Sequence, residues 1–284
     1  MQNISKSAIV LLAGVVMALL LGASSVAAKE LMAAGCKTEH FMLRDLSAAF
    51  TAKTGNTVQL ARIGNLKALT MLHEDQIDFA YTCKPITDLA KKSKLDRAVV
   101  KTWESVPIGK DPIVVISNYV NGVDNLSVTD LTRVFKGEIK NWKELGGNDV
   151  PVKVGYLSDS VESGIVLLFK EFTVGNDGQL DPNGTKVDDP VKLGQFVYAT
   201  PGGISFVSHN SLFGDRIKEI NVDGVNPTQA NILNGQYKLA ATYYLTFPVK
   251  RSALAADFIA FSQSKEGQSI VATNFIPYVK ENQR

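Results

Sequence analysis

Short apolar runs alternate with segments of helical periodicity along most of the chain. Between residues 41 and 53 the apolar positions are spaced as on one face of a helix, and Gly55 ends that segment. Ile113 to Ile116 form a β-branched run typical of a central strand. Further patterns predict strands at 30–34, 57–61, 77–81, 150–157, 203–208 and 240–248, helices at 66–73, 127–135, 163–172 and 252–264, and a loop at 179–190. The alternation predicts an α/β fold with largely parallel sheets.

The first 28 residues have the features of a secretory signal peptide. Lys6 precedes an uncharged apolar run from Ala8 to Leu21, and Val26 to Ala28 supply the small residues of a cleavage site. The apolar run is shorter than the ~20 residues that span a bilayer. We expect cleavage after Ala28 and a periplasmic protein; a membrane anchor and a lipoprotein signal ending at Cys36 are the alternatives.

Composition and charge exclude several classes of protein. With 45% hydrophobic and 20% charged residues, the chain is neither disordered nor a polytopic membrane protein. A net charge of +2 argues against a nucleic-acid partner, because phosphate neutralisation needs a concentrated basic surface. Two cysteines are too few for a disulfide scaffold. The length suffices for two lobes of about 120 residues each.

Four turns are candidates for a ligand site, because ligands of parallel sheets bind at the carboxyl ends of the strands. These turns are 34–41, 62–66, 82–86 and 157–165. The four turns contain both cysteines, and each turn precedes a predicted helix or turn of helix. Helix N-termini carry unpaired amide groups and partial positive charge, so several of them meeting at one cleft would suit an anion.

The segment from Leu126 to Gly147 resembles the signature of the phosphate-binding proteins of ABC importers. In that family a helix leads to an F-x-G turn and then to an N-W-x-x-L-G-G segment, as it does here. Six further segments resemble the family in colinear order: 33–41, 63–69, 77–86, 106–118, 158–172 and 199–210. The resemblance implies a two-lobed type II periplasmic-binding-protein fold with a ligand cleft between the lobes. It implies a first lobe of residues 29–116 and 239–284 and a second lobe of residues 117–238.

The same resemblance implies a receptor without catalytic activity or cofactor. Its ligand would be a small anion, phosphate or a related oxyanion, which a monomer would deliver to an ABC permease in the inner membrane. The expected ligand-binding residues are Cys36, Thr38, Glu39, Arg62, Gly64, Asn65, Cys83, Lys84, Ser163, Gly164 and Ile165.

The predicted site departs from the family pattern in its charges. The S-G-T-like loop is preceded by Asp159 and Glu162 rather than by the family's arginine, and Ile165 takes the place of its threonine. Each charge-assisted hydrogen bond lost to an oxyanion removes roughly 1.5–3 kcal/mol. We expect Arg62 or Lys84 to replace part of the missing charge.

The two cysteines leave several hypotheses open. On the family's fold Cys36 and Cys83 follow neighbouring strands, so they are expected to form a disulfide, to line the pocket as unpaired thiols, or to act as soft ligands. In the last case His40 or Met42 would complete a site for Cu(I), zinc or arsenite. A Cys–His nucleophile pair would make the protein an enzyme, and an interaction or sensor protein without transport is a further alternative.

Overall fold

The computed structural model describes residues 28–36, 38–93, 95–158, 164–175, 177–209 and 216–278. The predicted signal peptide lies outside these ranges except for Ala28, and so do Asp159, Glu162 and Ser163. Within the described ranges, no helix combines the length and apolarity that crossing a membrane requires.

The described residues form a mixed α/β fold. The strands are β1 Glu30–Gly35, β2 Thr57–Arg62, β3 Phe79–Thr82, β4 Trp103–Asn118, β5 Asn125–Leu126, β6 Lys153–Leu157, β7 Thr185–Val187, β8 Gly203–Ser208, β9 Ile217–Val222, β10 Ala240–Pro248 and β11 Ile276–Pro277. The α-helices are α1 His40–Thr54, α2 Asn65–His73, α3 Ile86–Leu89, α4 Arg97–Val100, α5 Val128–Phe135, α6 Gly164–Phe172, α7 Pro190–Ala199, α8 Gln229–Leu233, α9 Ala253–Ser262 and α10 Lys265–Val271.

The strands pair in the order β2-β1-β3-β10-β4-β8-β6-β7, with β11 and β9 also on β4 and β5 on β9. The outer pairs are parallel: β1 with β2 and β3, and β6 with β7 and β8. The central strands are antiparallel, because β10 returns along both β3 and β4, and β8 and β9 return along β4. The prediction of largely parallel sheets is therefore wrong for the centre of the molecule.

Strand β4 belongs to two sections of sheet. Its residues 103–112 pair with β10, and its residues 113–118 pair with β8 and β9. The predicted β-branched run Ile113 to Ile116 is completely buried, and each such side chain contributes about 1.5–3 kcal/mol through the hydrophobic effect. We call the part built on β1, β2, β3 and β10 the first lobe and the part built on β6, β8 and β9 the second lobe.

Each lobe has its own core. In the first lobe the rings of Phe79 and Phe258 stack with centroids 5.2 Å apart. In the second lobe those of Phe169 and Phe206 stack at 3.7 Å. Leu168 of α6 packs against both cores. Helix α6 therefore lies where the two lobes meet.

The predicted loop 179–190 contains a strand and the start of a helix, which its composition does not indicate. Strand β7 lies within it, and Asp189 caps α7 by accepting a hydrogen bond from the backbone N–H of Val191. A capping aspartate followed by proline at the first helical position is a helix start, although the same residues also favour turns. The predicted C-terminal helix also divides, since α9 ends at Ser262 and Ser264 caps a separate α10.

The ends of β1 and β3 lie unusually close together. A side chain at Gly35 would collide with the carbonyl oxygen of Tyr81, so only glycine allows this approach. The backbone N–H of Cys36 then donates to that same carbonyl at 3.0 Å. This contact places the turn after β1 beside the turn after β3.

Candidate ligand-binding site

Cys36 and Cys83 are free, buried thiols at the ends of β1 and β3. Their side chains hydrogen-bond to each other. The Sγ atom of Cys36 lies 3.1 Å from Oγ1 of Thr38, and Nδ2 of Asn65 donates to Sγ of Cys83 at 3.1 Å. The structure thus contains a thiol pair in contact and not the disulfide that was one of the expectations.

The interaction between the two thiols shifts their pKa values in opposite directions. The hydrogen bond from Cys83 lowers the pKa of Cys36, whereas the same bond, together with burial, raises the pKa of Cys83. Cys83 therefore keeps its proton and donates it to the sulfur of Cys36. Such a pair titrates as one unit.

Three helices begin at this thiol pair. The backbone N–H groups of Thr38 and Glu39, which precede α1, hydrogen-bond to the Cys36 sulfur. Helix α2 begins at Asn65, whose side chain binds Cys83. Helix α6 of the second lobe begins at Gly164, where an added Cβ would lie 2.6 Å from the Cys83 sulfur. Partial positive charge from three helix N-termini is thus concentrated at one point.

Glu39 is a buried carboxyl next to the thiol pair. Its side chain is completely inaccessible to solvent, and neither oxygen has a hydrogen-bond partner among the described residues. Burial, and next the neighbouring Cys36, raise the pKa of this carboxyl well above its usual value. A protonated carboxyl has both a donor and an acceptor to offer.

The two predicted cationic residues lie at the rim of the site. Arg62 is exposed, and its guanidinium lies 5.6 Å from the centre of the Phe41 ring. Lys84 forms an ion pair with Glu171 of α6, which joins the first lobe to the second. Neither cation contacts the thiol pair directly.

The hypothesis of a metal site formed by Cys36, Cys83 and His40 is not supported. Nδ1 of His40 lies 3.4 Å from the hydroxyl of Tyr81. Burial and the positive charge of Arg62 lower the pKa of His40. The described ranges contain no group of three His, Cys, Asp or Glu side chains that would hold a metal ion.

The remaining predicted residues have structural positions of different kinds. Gly64 precedes α2 with φ of 90°, which favours glycine. Ile165 is buried in the core of the second lobe, and Ser163 lies outside the described residues. The structure thus brings together Cys36, Thr38, Glu39, Asn65, Cys83 and Gly164.

Sequence reasoning missed a second polar cluster next to the site. The buried carboxylate of Asp111 accepts hydrogen bonds from Ser208 at 2.7 Å and from Tyr243 at 2.8 Å. Tyr243 also hydrogen-bonds to Thr38, which links this cluster to the thiols. Burial raises the pKa of Asp111 to about 6. Its one sequence signal was an acid directly before the apolar run from Pro112 to Ile116.

The chain belongs to a known family, because residues 22–266 match the model of the PBP superfamily domain. The predicted family and its mixed α/β fold are thereby confirmed. Similar curated proteins include the phosphate-binding protein PstS of Bacillus subtilis (strain 168), which is 30% identical over 158 residues, 55% of this chain and 51% of that protein. PstS of Staphylococcus haemolyticus is 24% identical over 71% of this chain and 66% of its own length. The chain thus matches about half to two thirds of the length of these relatives.

Solved structures show the same relationship. A candidate phosphate ABC transporter substrate-binding protein from Clostridium perfringens, solved with bound phosphate, superimposes with a TM-score of 0.73 at 25% identity. The match covers 89% of this chain and 100% of that one. An ABC-type phosphate transport receptor from Vibrio cholerae gives a TM-score of 0.74 at 20% identity, over 88% of this chain and 100% of that one.

Proposed function

We propose that the protein is an extracytoplasmic receptor that binds phosphate or a related small oxyanion between its two lobes. The lobes would comprise residues 29–116 with 239–284, and 117–238. The receptor would deliver its ligand to the permease of an ABC importer and would do no chemistry on it. Membership of the PBP superfamily and the phosphate-binding relatives support this assignment.

The observation that carries the proposal is the meeting of three helix N-termini at one buried point between the lobes. Backbone N–H groups at helix starts bind anions through hydrogen bonds and through the helix dipole. Two of these helices belong to the first lobe and one to the second. An anion at this point would therefore bind both lobes at once and favour their closure.

Neutral donors surround the same point. The Asn65 amide keeps a second hydrogen beyond the one that it donates to Cys83, and the carboxyl of Glu39 has a hydrogen to donate when it is protonated. The Thr38 hydroxyl would have to turn from the Cys36 sulfur to the ligand. These donors replace part of what an arginine supplies in the family pattern. Arg62 and Lys84 are the predicted sources of full positive charge.

The thiol pair gives anion binding a proton requirement. A thiolate at Cys36 repels an incoming anion, so binding favours the state in which both thiols are protonated. Phosphate binding should take up a proton whenever the pair starts with one negative charge. The apparent affinity should fall as the pH rises above the pKa of Cys36.

The test is a calorimetric titration of phosphate into the reduced, ligand-stripped chain from Lys29 to Arg284. We expect saturable one-to-one binding and a heat that varies with the ionisation enthalpy of the buffer. Asn65→Ala should weaken binding about tenfold, which is about 1.4 kcal/mol. Asn234→Ala, an exposed change after α8, is the control. No binding at millimolar phosphate would overturn the proposal.

A further inference from the structure

We propose that Cys36 and Cys83 form a dithiol that captures a trivalent, thiophilic oxyacid of the arsenite type. This ligand would bind covalently and reversibly at the same point between the lobes. The inference rests on the proposed function only for the position of the cleft, and its chemistry is that of the two sulfur atoms.

The geometry of the pair favours a bridging centre. The two thiols are free and buried, and a Cβ added to Gly164 would lie 2.6 Å from the Cys83 sulfur and 3.2 Å from the Cys36 sulfur. Thr38 fixes one sulfur and Asn65 fixes the other, at 3.1 Å each. Both sulfurs thus lie against the first residue of α6.

The number and spacing of the sulfurs select among soft ligands. Tetrahedral zinc requires four ligands, and the described residues offer no group of even three. A two-coordinate Cu(I) ion holds its sulfurs on opposite sides and therefore far apart. Trivalent arsenic is pyramidal and holds two sulfurs close to a right angle, which suits thiols already in contact.

The reaction balances without an oxidant or a reductant. Arsenous acid, As(OH)3, reacts with two thiols to give (RS)2As–OH and two molecules of water. Two As–S bonds form and two As–O bonds break, while each thiol proton leaves in a water molecule. Arsenic stays trivalent and both sulfurs stay at the thiol oxidation level.

Glu39 provides a partner for the group that remains. One hydroxyl stays on the arsenic after both exchanges. The buried carboxyl of Glu39, whose oxygens have no partner among the described residues, lies beside Cys36. It would hydrogen-bond the remaining hydroxyl. Pentavalent arsenate does not undergo this exchange with thiols. The two thiols would therefore bind arsenite and not arsenate.

The test compares sodium arsenite, sodium arsenate and phosphate on the chain from Lys29 to Arg284, reduced with a phosphine that carries no thiol. We expect one arsenite to bind per chain. A chromogenic thiol reagent should count two thiols in the denatured, arsenite-free protein and none in the arsenite-bound protein. Cys36→Ser and Cys83→Ser should each weaken arsenite binding at least 100-fold. The double serine variant should lose it entirely.

Circular dichroism and urea unfolding of the serine variants are the controls for folding. Arsenite affinity unchanged in either single variant, or no arsenite binding below 1 mM by the well-folded reduced chain, would overturn the inference. Arsenite binding that persists in a chain that does not bind phosphate would instead overturn the proposed function. Oxidation of the pair to a disulfide should abolish arsenite binding, and binding that survives oxidation contradicts the dithiol.

Discussion

Two buried carboxyl groups lie on either side of Thr38 and differ in what surrounds them. Asp111 accepts hydrogen bonds from Ser208 and Tyr243. Glu39 is equally buried, yet neither of its oxygens has a partner among the described residues. Burial raises the pKa of both.

The difference separates a structural group from a binding group. A buried polar group is normally hydrogen-bonded, and an unsatisfied one costs about 1–3 kcal/mol. Asp111 avoids that cost within the protein, and it does so by joining β4 to β8 and β10. Glu39 recovers the cost only when something else supplies a hydrogen bond. The contrast therefore supports a structural role for Asp111 and is consistent with the proposed role of Glu39 in ligand binding.

The largest expected effect is on the free energy of unfolding at pH 5. Asp111→Ala leaves the hydroxyls of Ser208 and Tyr243 without their shared acceptor, and should cost about 4 kcal/mol. Glu39→Gln removes no hydrogen bond to a described residue and should change stability by less than about 0.5 kcal/mol. Urea unfolding of both variants measures the two changes in the free energy of unfolding. Equal losses would contradict the distinction.

The next effect concerns pH. The folded pKa of Asp111, about 6, lies above the unfolded value of roughly 3.9. The folded state therefore holds the proton more tightly, and the resulting stabilisation is complete below pH 4 and lost as the pH rises through 6. That loss amounts to about 3 kcal/mol. The free energy of unfolding of the natural chain, relative to that of Asp111→Asn, should fall by this amount between pH 4 and pH 7. Urea unfolding at several pH values measures this difference. A difference that does not change with pH would contradict the assignment.

A smaller effect is expected where the second lobe reaches the thiols. In Gly164→Ala the new Cβ would lie 2.6 Å from the Cys83 sulfur and 3.2 Å from that of Cys36, so α6 must move away. Phosphate affinity should fall about tenfold, or about 1.4 kcal/mol. Leu167→Ala, at an exposed position of the same helix, is the control. Equal affinities for these two variants would show that α6 does not pack on the bound site.

The smallest effect belongs to the ion pair between Lys84 and Glu171. Both side chains are partly exposed, so the pair should contribute less than about 1 kcal/mol to closure of the lobes. Lys84→Met should weaken phosphate binding two- to fivefold at low salt and hardly at all at 0.5 M salt. A larger loss that persists at high salt would mean that Lys84 contacts the anion itself.

The sequence predicted the elements that carry strong periodicity, and it predicted the proximity of Cys36 to Cys83 through the family resemblance. It did not predict that Arg62 would lie over Phe41 or that Lys84 would pair with Glu171. Those outcomes depend on neighbours far apart in sequence, and residue type alone does not reveal them. The bonding of Asp111 was missed for the same reason, since its donors come from two other strands.

The continuity of β4 has a mechanical consequence. The strand passes from one lobe to the other without a break, and the N–H of Ile113 bonds the carbonyl of Leu239 at 2.9 Å where the chain returns. The connection between the lobes is therefore elastic and resists twisting. Elastic energy stored in the twisted ladder would then help to reopen the lobes after the ligand has left.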